Sequence, residues 1–524
     1  MLIQTNPESH SHQPSFRKMG VVRNVLSNWG SYAVAMGVNF FLSPYIVRRL
    51  GDTGYGVWTL ILALTGYLGL LDLGIRGAVT RYVARFHAQG KHDKAGNVAS
   101  SALVVFSSAG VLAILASLVL ATFVVSRMNI PAQYLMAARV VSVLTGLSVA
   151  VSLVNGVFGG IVVGLQRFDL TNSIEVVINI LRAATIVLAL HLDYGIVTLA
   201  FIQLGFTIAR WMANIALKQF LYPELRIRLA AADRAGVRLI FSFGLFSFLM
   251  HVSASLIYAS DNVVIGAFLP ITAVTFYGIA GNLVEYTRTL VSGISQTMTP
   301  LASSIEAKQD ESQLQRIVLF GSRAGTMVML PIAMTFMLRG SSFIGIWMGP
   351  QYAELSGRVL WILSITLLFW AGNSVNAGIL LGLSKHKPIV PVLLAEGFCN
   401  LALSVIWVKR MGILGVAWGT VVPSLCSSLI FWPWYTRRTL GVHPLAYLTS
   451  AWIRPAIAIV PFALGSYLIE HFWPVHHLLL FFLQVALVLP LAIVGYWAVC
   501  LDQTQRKDYS RKFSQSLERA FARG

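Results

Sequence analysis

Residues 41–85 read FLSPYIVRRLGDTGYGVWTLILALTGYLGLLDLGIRGAVTRYVAR, which is two apolar runs separated by a short charged turn. The turn is Arg48-Arg49-Leu50-Gly51, and Tyr55-Gly56 opens the second run. About 20 apolar residues allow a helix to cross the hydrocarbon core of a bilayer, where its backbone groups are satisfied within the helix. The stretch therefore predicts two membrane-spanning helices joined by a tight turn.

The rest of the chain repeats this pattern. Of the 524 residues, 56% are hydrophobic and only 11% are charged, and the mean hydropathy is +0.72. Soluble domains carry roughly 25% charged residues, so we predict an all-α integral membrane protein with about 14 transmembrane helices. The apolar runs lie at roughly 24–47, 57–80, 98–125, 136–164, 172–192, 196–219, 237–260, 271–300, 315–337, 357–382, 388–408, 412–434, 447–470 and 477–500.

Basic residues are distributed unevenly between the two sides of the predicted membrane. The net charge is +19, and 25 of the 39 Lys and Arg residues fall on the side of the N-terminus. At most eight, among them Arg339, fall on the other side. Because basic residues concentrate in cytoplasmic loops, we expect a multi-pass protein with both termini inside (N-in and C-in). This bias explains the charge without a nucleic-acid partner.

No pattern of catalytic or cofactor-binding residues is present in the sequence. Cys399, Cys426 and Cys500 lie in apolar segments, without the spacing of a metal or redox motif. The chain has no Gly-rich phosphate loop, no His/Glu metal spacing and no nucleophile elbow. We therefore predict a protein that is not an enzyme and that has no cofactor and no metal site.

A Tyr-Gly pair suggests that the chain is internally doubled. Tyr55-Gly56 opens the second run, and Tyr277-Gly278 opens the eighth, six runs later. Since six is even, the two halves would insert in the same orientation, as parallel repeats. The predicted organisation is a cytoplasmic N-terminal segment at 1–20, an N-lobe of helices 1–6 at 21–220, a C-lobe of helices 7–12 at 236–436, two extra helices at 446–500 and a basic cytoplasmic tail at 501–524.

Ionisable residues inside the apolar runs are the candidate functional residues, because a charge at the bilayer centre costs at least roughly 2.5–3.5 kcal/mol. Such a charge tends to face a cavity or a partner. Three same-helix pairs are predicted to neutralise themselves in part: Asp72 with Arg76, Glu285 with Arg288, and Glu175 with Arg182. The full set is Asp72, Arg76, Glu175, Arg182, Arg210, Asp261, Glu285, Arg288, Arg323 and Glu396.

The five arginines of this set predict a cationic vestibule. From their places along the helices, Arg76, Arg182, Arg210, Arg288 and Arg323 lie between mid-membrane and the inner face. The planar guanidinium binds two phosphate oxygens at once, so an anionic lipid headgroup is the natural ligand. Two structural alternatives remain open: neutralisation by the nearby acids, and snorkelling of the side chains without a same-helix acid to the interface.

Buried amides have two possible roles as well. Asn39, Asn155, Asn373 and Asn376 are candidates for contacts with sugar or water. They are equally suited to hydrogen bonds between helices.

The opening motifs resemble the polysaccharide-transporter branch of the multidrug/oligosaccharidyl-lipid/polysaccharide (MOP) exporter superfamily. In that branch a first helix ends in an R-x-L-G turn, followed by a Y-G-x-W entry and an L-D-x-G segment. Here these segments are Arg48 to Gly51, Tyr55-Gly56-Val57-Trp58 and Leu71-Asp72-Leu73-Gly74. A second region that resembles this family contains Tyr258 and Asp261, followed by Tyr277-Gly278.

The resemblance implies two six-helix lobes around a central cavity that work by alternating access. The implied cargo is an undecaprenyl-pyrophosphate-linked oligosaccharide, flipped from the inner to the outer leaflet of the bacterial inner membrane for O-antigen or exopolysaccharide synthesis. Membrane lipids, a polysaccharide polymerase and a chain-length regulator are the implied partners. Ion coupling is a property of the family, and the candidate carriers here are Asp72, Asp261, Glu175 and Glu285.

Three other functions are left open by the sequence. A drug or cation antiporter has the same fold but rarely needs a basic cavity. A peptidoglycan-precursor flippase would use the same arginines. A membrane glycosyltransferase is disfavoured because the predicted outer loops are short, the longest being about 338–356 with one acid, Glu354.

Overall fold

The computed structural model describes residues 18–306, 309–503, 506–507 and 510–511, and within these ranges the chain is helical, without a β-strand. Most of the predicted N-terminal segment and of the basic tail lies outside the described residues. The helices are α1 Lys18–Gly66, α2 Ile75–Ala88, α3 His92–Val119, α4 Ala132–Gly164, α5 Phe168–His191, α6 Ile196–Leu221, α7 Arg234–Tyr258, α8 Ser260–Phe268, α9 Thr272–Glu306, α10 Glu311–Trp347, α11 Pro350–Gly382, α12 Ile389–Met411, α13 Ile413–Cys426, α14 Trp432–Leu440, α15 Pro444–Leu448, α16 Arg454–Ala458, α17 Val460–Phe472 and α18 Leu478–Val499.

The charged turn of the opening stretch breaks α1. Gly51 has φ 68° and ψ 172°, a conformation that is strained for residues with a Cβ. The predicted tight turn between the first two runs is therefore a single non-helical glycine within continuous helical segments.

The L-D-x-G segment interrupts the second run. Residues Tyr67–Asp72 form a 3₁₀ helix, and Leu73 and Gly74 then adopt left-handed conformations with φ 49° and 73°. Helix α2 starts directly after them, with the Asp72 carboxylate 3.5 Å from the backbone nitrogen of Arg76. The L-D-x-G motif thus ends one helical segment, and the Asp72 carboxylate stabilises the start of the next.

The seventh run is bent rather than straight. Helices α7 and α8 meet at Ala259, and their axes differ by 41°. Ser260, at the break, donates from its hydroxyl to the carbonyl oxygen of Leu256 (2.6 Å). Asp261 is the second residue of α8 and therefore lies at the bend.

Eleven helices of the described residues are long and apolar enough to cross a membrane, or twelve with the bent pair counted as one span. One of them, Trp29–Ala88, has 60 residues and contains two predicted runs. At 1.5 Å per residue it is far longer than the roughly 30 Å hydrocarbon core, so the turn at Gly51 must return the chain. The eighth run, Thr272–Glu306, is helical but is not among the eleven. The count of fourteen stays a prediction.

Two groups of helices account for the main packing, and the contact region between the two groups is called the seam. In the first half α4 packs against α3 and α6, and α1 packs against α5; in the second half α11 packs against α9 and α10, and α12 against α7 and α13. The seam brings the two Tyr-Gly pairs together. A Cβ on Gly56 would lie 2.4 Å from the carbonyl oxygen of Ile271, and one on Gly278 would lie 3.5 Å from Thr59. The boundaries of the predicted lobes stay a prediction.

Candidate functional site

Helices α5 and α6 carry a polar cluster built from two cross-helix contacts. Glu175 faces Arg210, and Arg182 faces Gln203. Each helix places its two members seven residues apart, which is two turns on one face. Because α5 and α6 are antiparallel neighbours joined by a short turn, the same spacing on both helices brings the pairs into register.

The cluster contains more positive than negative charge. Arg210 donates from Nη1 to both carboxylate oxygens of Glu175, at 3.1 and 3.3 Å. Arg182 is held only by neutral amides, with Nη1 donating to Gln203 (3.2 Å) and Nη2 to Asn179 (3.1 Å). The Nε atoms of both arginines are buried and have no hydrogen-bond partner within the described part of the chain. Two guanidinium groups therefore lie beside one carboxylate that contacts only Arg210, and each keeps one N–H donor without a partner among the described residues.

This arrangement corrects the expected pairing in the first half. The sequence suggested that Glu175 pairs with Arg182 and that Arg210 has no acid on its own helix. The salt bridge instead joins Glu175 to Arg210, and both side chains are about one third exposed, at 31% and 32%. A partner from the neighbouring helix is closer than one two turns along the same helix, a contact that helical spacing within one segment does not reveal.

Arg76 lies beside the helix break and forms the predicted pair. Its Nε is 3.5 Å from Asp72 Oδ2, and 53% of its side chain is exposed. A Cβ added to Gly156 of α4 would lie 3.4 Å from the same Nε. The glycine therefore allows the guanidinium to lie against α4.

A buried amide pair continues the polar surface from α6 to α4. Asn214 donates from Nδ2 to Asn155 Oδ1 (2.9 Å), one turn beyond Arg210. Both of the roles expected for Asn155 are compatible with this contact. Asn373 and Asn376 instead bond to Ser428 (2.9 Å) and Thr436 (2.6 Å) in the second half, which is the interhelical role.

A second polar site lies at the bend between α7 and α8, around a cavity of about 380 Å³. Arg288 of α9 lines this cavity and donates from Nη2 to Thr366 Oγ1 (3.0 Å). Its guanidinium also lies 4.3 Å from the centre of the Tyr258 ring. Glu285 and Glu396 both interact electrostatically with Arg288. The predicted Glu285–Arg288 pair is therefore part of a larger charged group.

Asp261 is the buried acid of this second site, with only 3% of its surface exposed. Its Oδ2 accepts hydrogen bonds from Tyr277 Oη (2.5 Å) and Thr420 Oγ1 (2.8 Å). Its Oδ1 and the neighbouring Asn262 Oδ1 are buried acceptors without a partner among the described residues, and both residues line the cavity. A cation or a bound proton would satisfy such acceptors.

Arg323 lies elsewhere, against the C-terminal helix pair. It is 6% exposed and donates from Nη1 to the carbonyl oxygen of Cys500 (2.6 Å), at the end of α18. The five predicted vestibule arginines thus fall into three places: Arg76, Arg182 and Arg210 in the first half, Arg288 in the second, and Arg323 under the C-terminal pair.

Arg339 is a buried arginine that the sequence analysis placed at the outer boundary. Its side chain is fully buried, donates to Glu470 (2.7 Å) and Gln484 (2.5 Å), and lies 4.4 Å from the centre of the Phe481 ring. Glu470 also accepts a hydrogen bond from Ser342. Hydropathy ended the ninth run too early, because α10 continues to Trp347.

One end of the seam between the helix groups is closed by hydrogen bonds. Asp52 accepts one from Tyr352 Oη through its carboxylate and one from Thr275 Oγ1 through its carbonyl oxygen (2.6 Å). Trp347 donates from Nε1 to the carbonyl oxygen of Phe40 (3.0 Å). Any movement that opens this end must break these bonds.

Comparison with known proteins gives one family and a shared fold. The model of the polysaccharide biosynthesis protein family matches residues 21–306, more than half of the chain. A protein of Shigella flexneri named for O-antigen transport is 22% identical over 421 residues, covering 80% of this chain and 98% of its own.

Two solved structures have the same fold. The lipid II flippase MurJ in an inward closed conformation superposes with a TM-score of 0.69 at 12% identity, over 90% of this chain and 98% of its own. An inward-facing multidrug resistance MATE family transporter of the MOP superfamily gives 0.62 at 15% identity, over 80% and 98%. These are names of transporters, which agrees with the prediction of a transporter rather than an enzyme. The predicted helical transporter fold of this superfamily is confirmed.

Proposed function

The chain belongs to the polysaccharide biosynthesis protein family, and from that membership we propose that it is a flippase for an undecaprenyl-pyrophosphate-linked oligosaccharide. The cargo would pass from the inner to the outer leaflet of the bacterial inner membrane, with the N- and C-termini inside. The observation that carries this proposal is the surplus of guanidinium over carboxylate on α5 and α6.

Arg182 and Arg210 would hold the diphosphate of the cargo. Arginine is suited to this task because its donors form a planar fork and its charge does not depend on pH. Arg76 and Arg288 would add positive charge on either side of the seam. We assign Arg323 to packing instead, because it is committed to the Cys500 carbonyl oxygen.

Alternating access would move the cargo between the leaflets. The hydrogen bonds of Asp52 with Thr275 and Tyr352 support a state that is closed at that end. With the termini inside, this is the outer end, so the described state would receive cargo from the cytoplasmic leaflet. Opening outward would require these bonds to break while the inner end closes.

Ion coupling would use the second site. Of the four acids proposed from the sequence, Asp261 has the two features of a cation carrier: it is buried, and one of its oxygens has no hydrogen-bond partner among the described residues. Asp72 and Glu175 instead form salt bridges with arginines, so their charges are already offset in part.

The test is a lipid analysis of cells that lack this protein but keep their sugar-assembly enzymes. We expect a lipid-linked oligosaccharide to accumulate on the cytoplasmic leaflet and surface polymer to disappear. Wild-type protein should restore export, and the double variant R182Q/R210Q should not. Accumulation of a peptidoglycan precursor would identify a different cargo. Drug sensitivity without lipid accumulation would replace the flippase by an antiporter.

A further inference from the structure

The cluster on α5 and α6 contains an acid in the place where an anionic ligand would bind. Glu175 is the only carboxylate that contacts Arg182 or Arg210 among the described residues, and it contacts Arg210. Arg182 donates to two neutral amides, and Glu175 attracts it electrostatically while its carboxylate oxygens are bound to Arg210. The two arginines also repel each other electrostatically. The site is therefore incompletely neutralised without cargo.

The salt bridge within the cluster is of a kind that a ligand can replace. Both oxygens of Glu175 are bound to the same nitrogen, Nη1 of Arg210, and the Arg210 Nε has no hydrogen-bond partner in the described part of the chain. This contact lacks the two parallel N–H···O bonds of the strong fork arrangement. Both side chains are about one third exposed, so a solvent-borne or lipid-borne anion can reach them.

We propose that Glu175 is a built-in counter-ion that competes with the diphosphate of the cargo for Arg210. A diphosphate carries more charge and more acceptor oxygens than one carboxylate, so it can bind both guanidinium groups where Glu175 binds one. Glu175 then swings away from Arg210, and it returns when the cargo leaves. This inference rests on the proposed function and assigns Glu175 a positioning role within it.

Competition of this kind limits affinity and thereby favours release. Reforming the Glu175–Arg210 contact lowers the free energy of the empty site, so the cargo is bound less tightly than the arginines alone would allow. A merely structural salt bridge between α5 and α6 predicts the opposite effect of removing the carboxylate, because a loosened helix pair would bind ligand less well.

The experiment measures binding of farnesyl diphosphate, and separately of inorganic pyrophosphate, to the purified full chain in detergent. The variants are E175Q, R210Q, R182Q and, as a matched control, D193N. Asp193 also pairs with an arginine, Arg49 at 3.4 Å, at the end of α5. Should E175Q be recovered in low yield, Glu175→Ala removes the same charge and has the same expected sign.

We expect E175Q to bind both probes about two- to fivefold more tightly, since partly exposed ion pairs contribute modestly. R210Q should bind at least about tenfold more weakly, and D193N should match wild type. Unchanged or weaker binding by E175Q, with loss in R210Q, would overturn the role of Glu175 and leave the proposed function standing. Tightening confined to farnesyl diphosphate would also overturn it, because the competition concerns the diphosphate. If R210Q and R182Q both bound the probes as tightly as wild type, the cluster on α5 and α6 would not be the diphosphate-binding site that the proposed function requires.

Discussion

Arginines of two kinds lie within the apolar helices of this protein, and their surroundings differ. Arg323 and Arg339 on α10 are buried and bound to groups of the C-terminal helices. Arg182 and Arg210 are partly exposed, and their partners are neutral amides and the carboxylate of Glu175, respectively. The first pair joins helices in the interior, whereas the second pair lies where a ligand can reach it. The residue type is the same, so burial and partners decide the role.

The largest expected effect tests the partly exposed pair. Arg182→Ala or Arg210→Ala should nearly abolish export of surface polysaccharide, because each removes a phosphate donor, while the amount of protein in the membrane stays unchanged. Export by complemented cells and immunoblots of membranes measure this. Arg49→Ala, which breaks an exposed pair with Asp193, is the control and should export normally. Full export by both cluster variants would end the distinction drawn above.

The second prediction tests the buried pair. Arg339→Ala should lower the free energy of unfolding by about 3–5 kcal/mol, because it leaves Glu470 next to a buried site without its partner. Thermal unfolding in detergent and membrane abundance report this. Arg358→Ala is the matched control, since its pair with Glu354 is exposed, and it should change stability little. If Arg339→Ala kept normal stability but lost export, Arg339 would have a role in transport and not in packing.

A third prediction compares the two polar sites with each other. Asp261→Asn should reduce export several-fold while stability is kept or increased, because a buried carboxylate with an unpaired oxygen is costly. Export and thermal unfolding with and without added Na⁺ measure the two effects. Wild-type export by this variant would exclude Asp261 as the ion carrier and leave the α5–α6 cluster as the only candidate site.

The smallest effect concerns the closed end of the seam. Tyr352→Phe removes one hydrogen bond to Asp52, worth about 1 kcal/mol, and should shift the closed-to-open ratio about fivefold. The modification rate of Thr53→Cys by a membrane-impermeant thiol reagent, in a background without the native cysteines, should rise accordingly. Tyr194→Phe, at an exposed tyrosine, is the control. An unchanged rate would show that this bond does not hold the end closed.

Local spacing predicted one ion pair and one turn. Asp72 and Arg76 are four residues apart, and the structure confirms their pair, although the two residues lie on either side of a helix break. The turn at Gly51 was predicted as well, whereas the break at Leu73 and Gly74 interrupts a run, 57–80, that was predicted as one helix. Helical spacing was a poor guide where the nearer partner comes from another helix, as for Glu175 with Arg210.

Hydropathy failed at Arg339 for a related reason. The predicted ninth run ended at residue 337, just before Arg339, although α10 continues for eight residues beyond Arg339. The acid that makes its burial possible, Glu470, is 131 residues away in sequence. A sequence window of the length of one membrane helix cannot contain both Arg339 and Glu470.

The sequence alone determined that the chain is helical and membrane-embedded, because apolar runs of sufficient length can satisfy their backbone groups in lipid only as helices. It also predicted the break at Gly51, since the conformation there, with φ 68°, is one that glycine adopts without strain. Tertiary structure alone decided which arginines lie partly exposed beside one acid and neutral amides and which are buried against the C-terminal helices. That division depends on contacts between α5 and α6 and between α10 and the C-terminal helices, and such contacts exist only after distant segments have packed together.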